Sequence, residues 1–299
     1  MLKWVKKERE IYTLKSSYER FKHLEINELI NFHCVFDGYE SSLNFYDIFE
    51  AIEICIVREF DSLKTKFNFQ SELEKEMKLA LMRLAKSDRK RFNISKILPQ
   101  PLAKRVYKEL FERELLSVEV SLEKPIKAPK GQLLKKHLRR YKVEDKIRFK
   151  DNFTRFWFRF IEPNLNLLEE GKFDSVMRDI RLNFDDYASF GFELICRELL
   201  AHKFGVDVKR VSSLWTRDVE IDLFLKTGDQ IIVGEAKFKE HKMCKNVLNL
   251  LAKKCERLLI EPYKFALFSK SGFSKELENL KDERVMLFEM KDFEELING

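Results

Sequence analysis

Apolar residues in the first part of the chain recur at three- and four-residue steps, which is the period of an amphipathic helix. The segment from Phe45 to Val57 shows this pattern most clearly. The chain has 299 residues but only 9 Gly and 6 Pro, so flexible linkers should be few and helix content high. We therefore expect residues 1–70 to form a helical region.

Residues 71–150 have the pattern of a winged helix-turn-helix. Two longer apolar-periodic stretches flank a short one, and Pro99 and Pro101 mark the turn before the last helix. An alternating stretch follows, and a second one after a basic segment would close the wing. The predicted elements are helices at 72–85, 93–97 and 102–115 and strands at 117–122 and 141–149.

Positive charge is concentrated in this middle part of the chain. From Lys75 to Arg155 there are 24 Lys and Arg against 10 Asp and Glu, although the whole chain carries a formal charge of only +7. Such a surface favours nucleic acid as a partner, with solvated helix faces as the alternative. The candidate DNA contacts are the basic residues of the last helix and of the wing segment: Lys104, Arg105, Lys108, Arg113, Lys135, Lys136, Arg139 and Arg140.

The exposed face of that last helix offers little chemistry for reading base edges. Recognition in a groove needs polar side chains for the bases as well as basic ones for the phosphates. We therefore expect non-specific contact with DNA. Winged helices can also mediate protein contacts, and that alternative stays open.

Residues 151–190 are rich in aromatic side chains. They cluster between Phe153 and Phe160, with Arg155 and Arg159 among them. Aromatic rings beside arginine can stack on nucleic acid bases, but at helical spacing they more often form a core or a seam between domains. We favour the core interpretation.

From Phe190 onward the pattern changes to alternating helices and strands. Short Ile- and Val-rich runs alternate with amphipathic stretches, and Lys226 to Asp229 forms a turn between two of the runs. The predicted elements are helices at 190–202 and 244–259, a short helix from 274, and strands at 219–225, 230–238, 263–268 and 284–289.

The candidate chemistry lies on the two strands that this turn connects. Side chains alternate along a strand, so Glu235 and Lys237 share a face, and a hairpin can bring Asp222 beside Glu235. Two adjacent carboxylates favour a bound cation, and Mg²⁺ or Mn²⁺ suits oxygen ligands. Lys237 would stabilise charge on a phosphate, and Glu193 on the preceding helix is a further candidate ligand. Singly these signals are weak, but their combination is more specific.

The order of Glu193, Asp222 and Glu235-Ala236-Lys237 resembles the PD-(D/E)xK nucleases. The stretch from Asp151 to about Glu276 more closely resembles DUF234, the C-terminal domain of archaeal and bacterial STAND-type ATPases. The similar segments are 151–153, 162–164, 192–193, 197–198, 220–222, 234–238 and 268–273. The resemblance implies metal binding by Asp222 and Glu235, a catalytic role for Lys237 and a supporting role for Glu193.

The resemblance also implies an organisation for the chain. It predicts a helical region at 1–70, a winged helix-turn-helix at 71–150, and a restriction-endonuclease-like α/β domain with a mixed central sheet at 151–299. The segment from Phe32 to Gly38 resembles a remnant of an ATPase lid, although relatives tend to have two glycines where this chain has Asp37-Gly38. No GxxxxGK[ST] phosphate loop occurs, so no nucleotide is expected. Many nucleases of this fold act as dimers, so the resemblance also allows a homodimer.

Two classes of function follow from these patterns. The first is a metal-dependent nuclease that hydrolyses phosphodiester bonds in DNA. The second is an inactive protein of the same fold that binds DNA or a partner, and a subunit that pairs with a separate ATPase is a third interpretation. The five cysteines include no CxxC pair, and no apolar run reaches about 18 residues, so we expect a cytoplasmic protein with no membrane span.

Overall fold

The computed structural model describes residues 13–39, 44–86, 89–123, 131–133 and 144–298. The N-terminal part is helical, as its periodicity predicts. Thr13 and Asp47 cap two of the helices, each accepting a backbone N–H with its side chain. The helices are α1 (Leu14–Arg20), α2 (Ile26–Phe36), α3 (Ile48–Ile52, continued by a π turn at Glu53–Val57) and α4 (Phe60–Lys64).

The next elements have the order expected of a winged helix-turn-helix. They are α5 (Glu74–Lys86), a 3₁₀ turn (Arg91–Lys96), α6 (Gln100–Glu112), β1 (Leu116–Glu119) and β2 (Lys146–Phe149). The two strands pair antiparallel, with Leu116 opposite Phe149. Both are shorter than predicted. Most of the basic segment between them, including Lys135, Lys136, Arg139 and Arg140, lies outside the described residues.

The aromatic segment forms core, which confirms that interpretation. It folds as α7 (Asn152–Phe156), a π turn (Trp157–Ile161) and α8 (Leu165–Glu169). Its rings at Phe153, Phe156, Trp157, Phe158 and Phe160 are all buried. These five rings are therefore inaccessible to a base that would stack on them.

A single long helix, α9 (Phe173–Lys203), follows. The predicted start at Phe190 was wrong by 17 residues. The buried positions Val176, Ile180 and Phe184 continue the same stripe toward the N-terminus, and neither Gly nor Pro interrupts it before Gly191. The many aromatic residues of this region obscure the helical periodicity in the sequence.

The C-terminal part contains a mixed five-stranded sheet in the order β3-β4-β5-β6-β7. Strand β4 runs antiparallel to both of its neighbours, β3 and β5, while β5, β6 and β7 are parallel to one another. The elements are β3 (Val211–Trp215), β4 (Glu220–Thr227), β5 (Gln230–Lys237), α10 (Lys245–Leu258), β6 (Lys264–Ser269), α11 (Lys275–Glu278), β7 (Val285–Phe288) and α12 (Glu295–Asn298). This confirms an α/β fold with a mixed sheet. Strand β3 was not predicted.

Two apolar clusters cover the two faces of this sheet. The larger contains buried residues from Leu14 to Phe293, and so joins the N-terminal helices, the winged region, α9 and one sheet face. The smaller lies beneath α10 and includes Ile221, Val233 and Leu267. Within the residues that the structure describes, no helix combines the length and apolarity that crossing a membrane requires.

Candidate functional site

The hairpin of β4 and β5 carries the candidate site. Glu235 follows Val233 by two residues, so its side chain faces α10, as Val233 does. Its carboxylate is buried at 7% exposure. The Lys237 Nζ lies 2.6 Å from Glu235 Oε1. The structure therefore brings together the two residues that strand alternation predicts on one face.

A second lysine reaches the same carboxylate. Lys254, on α10, places its Nζ 2.7 Å from Glu235 Oε2. Sequence reasoning missed this residue, because a helix position separated from Glu235 by a loop has no fixed spacing to a strand. The helical phase of α10 was the available signal, since Leu251 and Cys255 on the same helix are buried against the sheet. Both oxygens of Glu235 thus accept a charge-assisted hydrogen bond.

A β-bulge positions Asp222. Ser212 pairs with Phe224 and Leu214 pairs with Ile221. Strand β3 has one residue between these pairs, whereas β4 has two, Asp222 and Leu223. An extra residue of this kind bends the strand and changes the direction of a side chain. Here Asp222 Oδ2 accepts the backbone N–H of Ala236, next to Glu235, at 3.1 Å.

The environment of Asp222 disfavours its charged form. Burial raises the pKa of its carboxyl to about 7, and the negative charges of Glu235 and Glu193 act in the same direction. The ammonium of Lys237 and the Ala236 N–H oppose this shift only in part. The pKa of Lys237 is itself raised, because Glu235 and Asp222 outweigh the cost of its burial. Lys237 is therefore a cation next to a crowded pair of carboxyl groups.

Glu193 lies on α9 and is engaged by an arginine. Arg197, one turn further along the helix, places Nη2 2.6 Å from Glu193 Oε1 and Nη1 2.6 Å from Glu119 Oε1. Arg89 lies 3.3 Å from the other oxygen of Glu119. Although burial alone would raise it, these two arginines hold the pKa of Glu119 at about 2. Glu193 acts on the charge of Asp222 and also contacts Arg197. It therefore links the Asp222 carboxyl to the charged side chains next to β1 and β2, which we call the charged layer beneath the wing.

This charged layer comes from one face of the wing strands. Ser117 is opposite Arg148 and Glu119 is opposite Lys146, so these four side chains share a face. That face lies against α9, β3 and β4. Lys146 is buried, forms an ion pair with Glu220 and lies 4.8 Å from the centre of the Trp215 ring.

The acidic side chains of the site are the candidate ligands of a divalent cation, because the sequence predicts Mg²⁺ or Mn²⁺ here. Within the described ranges, no group of three or more His, Cys, Asp or Glu side chains is drawn together to hold a metal. Mg²⁺ is commonly held by one or two carboxylates, with water and substrate oxygens completing its shell. Asp222 and Glu235 supply two neighbouring carboxyl groups, and burial, followed by the charges of Glu235 and Glu193, raises the pKa of Asp222. Arg197 engages one oxygen of Glu193, Oε1.

The four candidate DNA contacts on α6 share the solvent side of that helix. Lys104, Arg105, Lys108 and Arg113 are all exposed, while Val106 and Leu110 are among the buried residues on its other side. Lys108 and Arg113 have weak partners at 3.8 Å, Glu112 and Glu109. Exposed cations are the kind of side chain that contacts phosphates of a nucleic acid backbone.

The fold and the site define an α/β protein with a carboxylate–lysine cluster on the central hairpin of a mixed sheet. Residues 157–248 match DUF234, a family described as archaeal and bacterial proteins of unknown function. The resemblance to that family is therefore confirmed over these residues. The match contains Glu193, Asp222, Glu235 and Lys237, and it ends before Lys254.

One curated relative is similar over a longer stretch. The chain is 28% identical over 197 residues to an uncharacterized protein of Methanocaldococcus jannaschii. The alignment covers 62% of this chain, which spans 40% of the length of that relative. No solved structure matches the chain.

Proposed function

We propose that this chain hydrolyses phosphodiester bonds in DNA, with Mg²⁺ or Mn²⁺ at the cluster of Asp222, Glu235 and Lys237. The observation that carries the proposal is the convergence of two carboxyl groups and one ammonium on a single hairpin. Burial and then the charge of Glu235 raise the pKa of Asp222, and the Lys237 Nζ lies 2.6 Å from Glu235 Oε1. The arrangement also agrees with the resemblance to PD-(D/E)xK nucleases.

Each residue has a distinct part in this proposal. Asp222 and Glu235 would hold the cation, which supplies Lewis-acid activation of the phosphodiester and of water. Lys237 stays protonated and would stabilise negative charge on the phosphate. Lys254 orients Glu235 through its second oxygen. The exposed cations of α6 would hold the DNA backbone without reading sequence.

The test compares matched substitutions in a cleavage assay. Linear double-stranded and single-stranded DNA are incubated with the full chain and Mn²⁺ or Mg²⁺. Glu235→Gln and Lys237→Met should reduce cleavage by at least about a hundredfold, as expected when a group acting on the transition state is lost. The controls are Glu256→Gln and Lys226→Met, which alter exposed residues on α10 and β4. Equal cleavage by all the variants would show that the hydrolysis does not use this site.

A second function has one observation in its favour. Both oxygens of Glu235 are already engaged by lysines, which neutralises the carboxylate without a metal. A protein that keeps the fold and binds DNA without turnover would tolerate this pairing. Salt-sensitive DNA binding with no cleavage in Mg²⁺ or Mn²⁺ would support the binding module over the nuclease.

A further inference from the structure

The charged layer beneath the wing contains an arginine, Arg148, for which the part of the chain that the structure describes provides no salt-bridge partner. Arg148 extends from β2 on the same face as Glu119 and Lys146. Its Nε is buried and has no hydrogen-bond partner. Among the described residues no carboxylate forms a salt bridge with its guanidinium, whereas Lys146 forms one and Arg197 forms two. A buried cation is normally paired, so Arg148 departs from the usual pattern.

A second buried donor lies beside it. Arg197 is 4% exposed, and its Nε is also buried with no partner although its two terminal nitrogens bind Glu193 and Glu119. Burial is the main cause that lowers the pKa of Arg148 to about 10. The positive charge of Arg197 is the second largest cause. Two cationic groups with unused donors are therefore held close together.

The other cations of the layer are paired within the described residues. Arg89 and Arg197 form salt bridges with Glu119, and Lys146 forms one with Glu220. Arg148 is the member of the layer that forms no salt bridge there. An oxyanion would supply the missing partner.

We propose that Arg148, which is partly exposed, forms a subsite for a backbone phosphate of the DNA strand bound at the Asp222–Glu235 cluster. The proposal rests on the proposed function for the identity of the strand. Arg197 holds Glu193, whose charge acts on both Asp222 and Lys237, so the subsite adjoins that cluster.

The test measures DNA binding in EDTA, so it does not depend on cleavage. Fluorescein-labelled DNA is titrated with the full chain at several salt concentrations and followed by anisotropy. Arg148→Met should weaken binding and lower the slope of log K against log salt by about 0.9, the value for one lost phosphate contact. The matched control is Arg257→Met, which alters an exposed arginine on α10. Affinity and slope equal to the control would overturn the proposal.

Two further measurements distinguish a backbone phosphate from a small phosphate and from a loss of folding. Arg148→Lys keeps the positive charge but loses the planar guanidinium and its Nε. It should bind DNA more weakly than the wild type, with an unchanged slope of log K against log salt. Wild-type affinity of this variant would overturn the proposal, even if Arg148→Met does not fold.

In the second measurement, inorganic phosphate is added in a thermal melt of the wild type and of Arg148→Met. If it stabilises only the wild type while DNA affinity ignores Arg148, the occupant is a small phosphate and the DNA assignment is wrong. Arg148-dependent binding without cleavage would keep the subsite and reject only the hydrolysis.

Discussion

Glu235 is a buried carboxylate with an ammonium on each of its oxygens, and Asp222 is its acidic neighbour. Burial and then the charges of Glu235 and Glu193 raise the pKa of Asp222, and Lys237 opposes this shift only in part. The charged form of Asp222 is therefore disfavoured. Sites that bind ligands or catalyse reactions commonly retain such unfavourable interactions at a cost in stability.

Replacing Asp222 should therefore stabilise the protein in the absence of a metal. Asp222→Asn removes the charge that burial, Glu235 and Glu193 disfavour, and the amide oxygen can still accept the Ala236 N–H. We expect an increase in unfolding free energy of about 1 to 3 kcal/mol at pH 8 in EDTA. Urea denaturation followed by circular dichroism measures it.

The same variant provides a test of the metal without an activity assay. Mn²⁺ should raise the melting temperature of the wild type and leave that of Asp222→Asn nearly unchanged. Lys226→Met is a control that should respond to Mn²⁺ as the wild type does. A wild type that gains nothing from millimolar Mn²⁺ would contradict the metal assignment, whatever the effect of the substitution in EDTA.

At the scale of elements, the contact of α2 with α9 depends on Gly191. A Cβ at this position would lie 2.6 Å from the Sγ and 3.3 Å from the Cβ of Cys34. Both residues are buried, and the Cys34 Sγ also contacts the carbonyl of Ala188 at 3.7 Å. The helices can approach this closely only because Gly191 has no side chain.

Gly191→Ala should destabilise the protein even though Ala favours helix by about 1 kcal/mol. Overpacking should outweigh that gain and produce a net loss of about 1 to 3 kcal/mol. In a Cys34→Ala background the Sγ is absent, so the same change should cost much less. Urea unfolding of the four proteins gives the coupling, and strictly additive effects would show that this contact is not the cause.

The attachment of α1 to α9 introduces a pH dependence. Glu198 Oε2 accepts the backbone N–H of Leu14 at 3.0 Å. Burial raises the pKa of Glu198 to about 7, and the hydrogen bond from Leu14 offsets only part of this. The folded protein therefore binds this proton more tightly than the unfolded chain does. The stability that Glu198 contributes is fully present below about pH 4.5 and is lost as the pH rises through 7.

Glu198→Gln should remove this loss, because the amide cannot ionise and still offers an oxygen to Leu14. The unfolding free energy of the variant relative to the wild type should rise by about 1 to 3 kcal/mol between pH 5 and pH 8. Chemical denaturation at the two pH values measures the change. Asp186→Asn, at an exposed position of the same helix, is the control. An equal pH response in both variants would contradict the role of Glu198.

The sequence predicts the elements of the site better than the contacts between them. Strands β4 to β7 and helix α10 follow from alternation, apolar runs and the turn before Gln230, because these are local properties. Strand β3 was missed because its centre, Ser212-Ser213, interrupts the apolar run, and β4 stabilises it through pairing. The bulge at Asp222 and the approach of Lys254 and Arg148 depend on docking between distant segments. No spacing in the sequence records that docking.

At the scale of the whole molecule, the three predicted segments share one apolar core. The buried cluster that includes Leu14 also includes Leu110 of α6, Phe192 of α9 and Phe268 of β6. In contrast, the wing meets the α/β part through the charged layer of Glu119, Lys146, Arg148 and Arg197. The apolar core provides cohesion between the segments, while the charged layer adjoins the candidate site.

A shared core predicts cooperative unfolding of the whole chain. Trp157 lies in the aromatic segment and Trp215 lies on β3. Both side chains are buried, so unfolding would expose them to water. In Trp157→Phe and in Trp215→Phe, the fluorescence of the remaining tryptophans should follow the same urea transition as far-ultraviolet circular dichroism. The comparison is between the two signals within each variant, so a lower midpoint caused by the substitution itself does not affect it. Both Trp157 and Trp215 belong to segment 151–299, so a fluorescence transition separate from that of circular dichroism would mean that this segment unfolds independently of other helical parts of the chain. That result would contradict a single core shared by the segments.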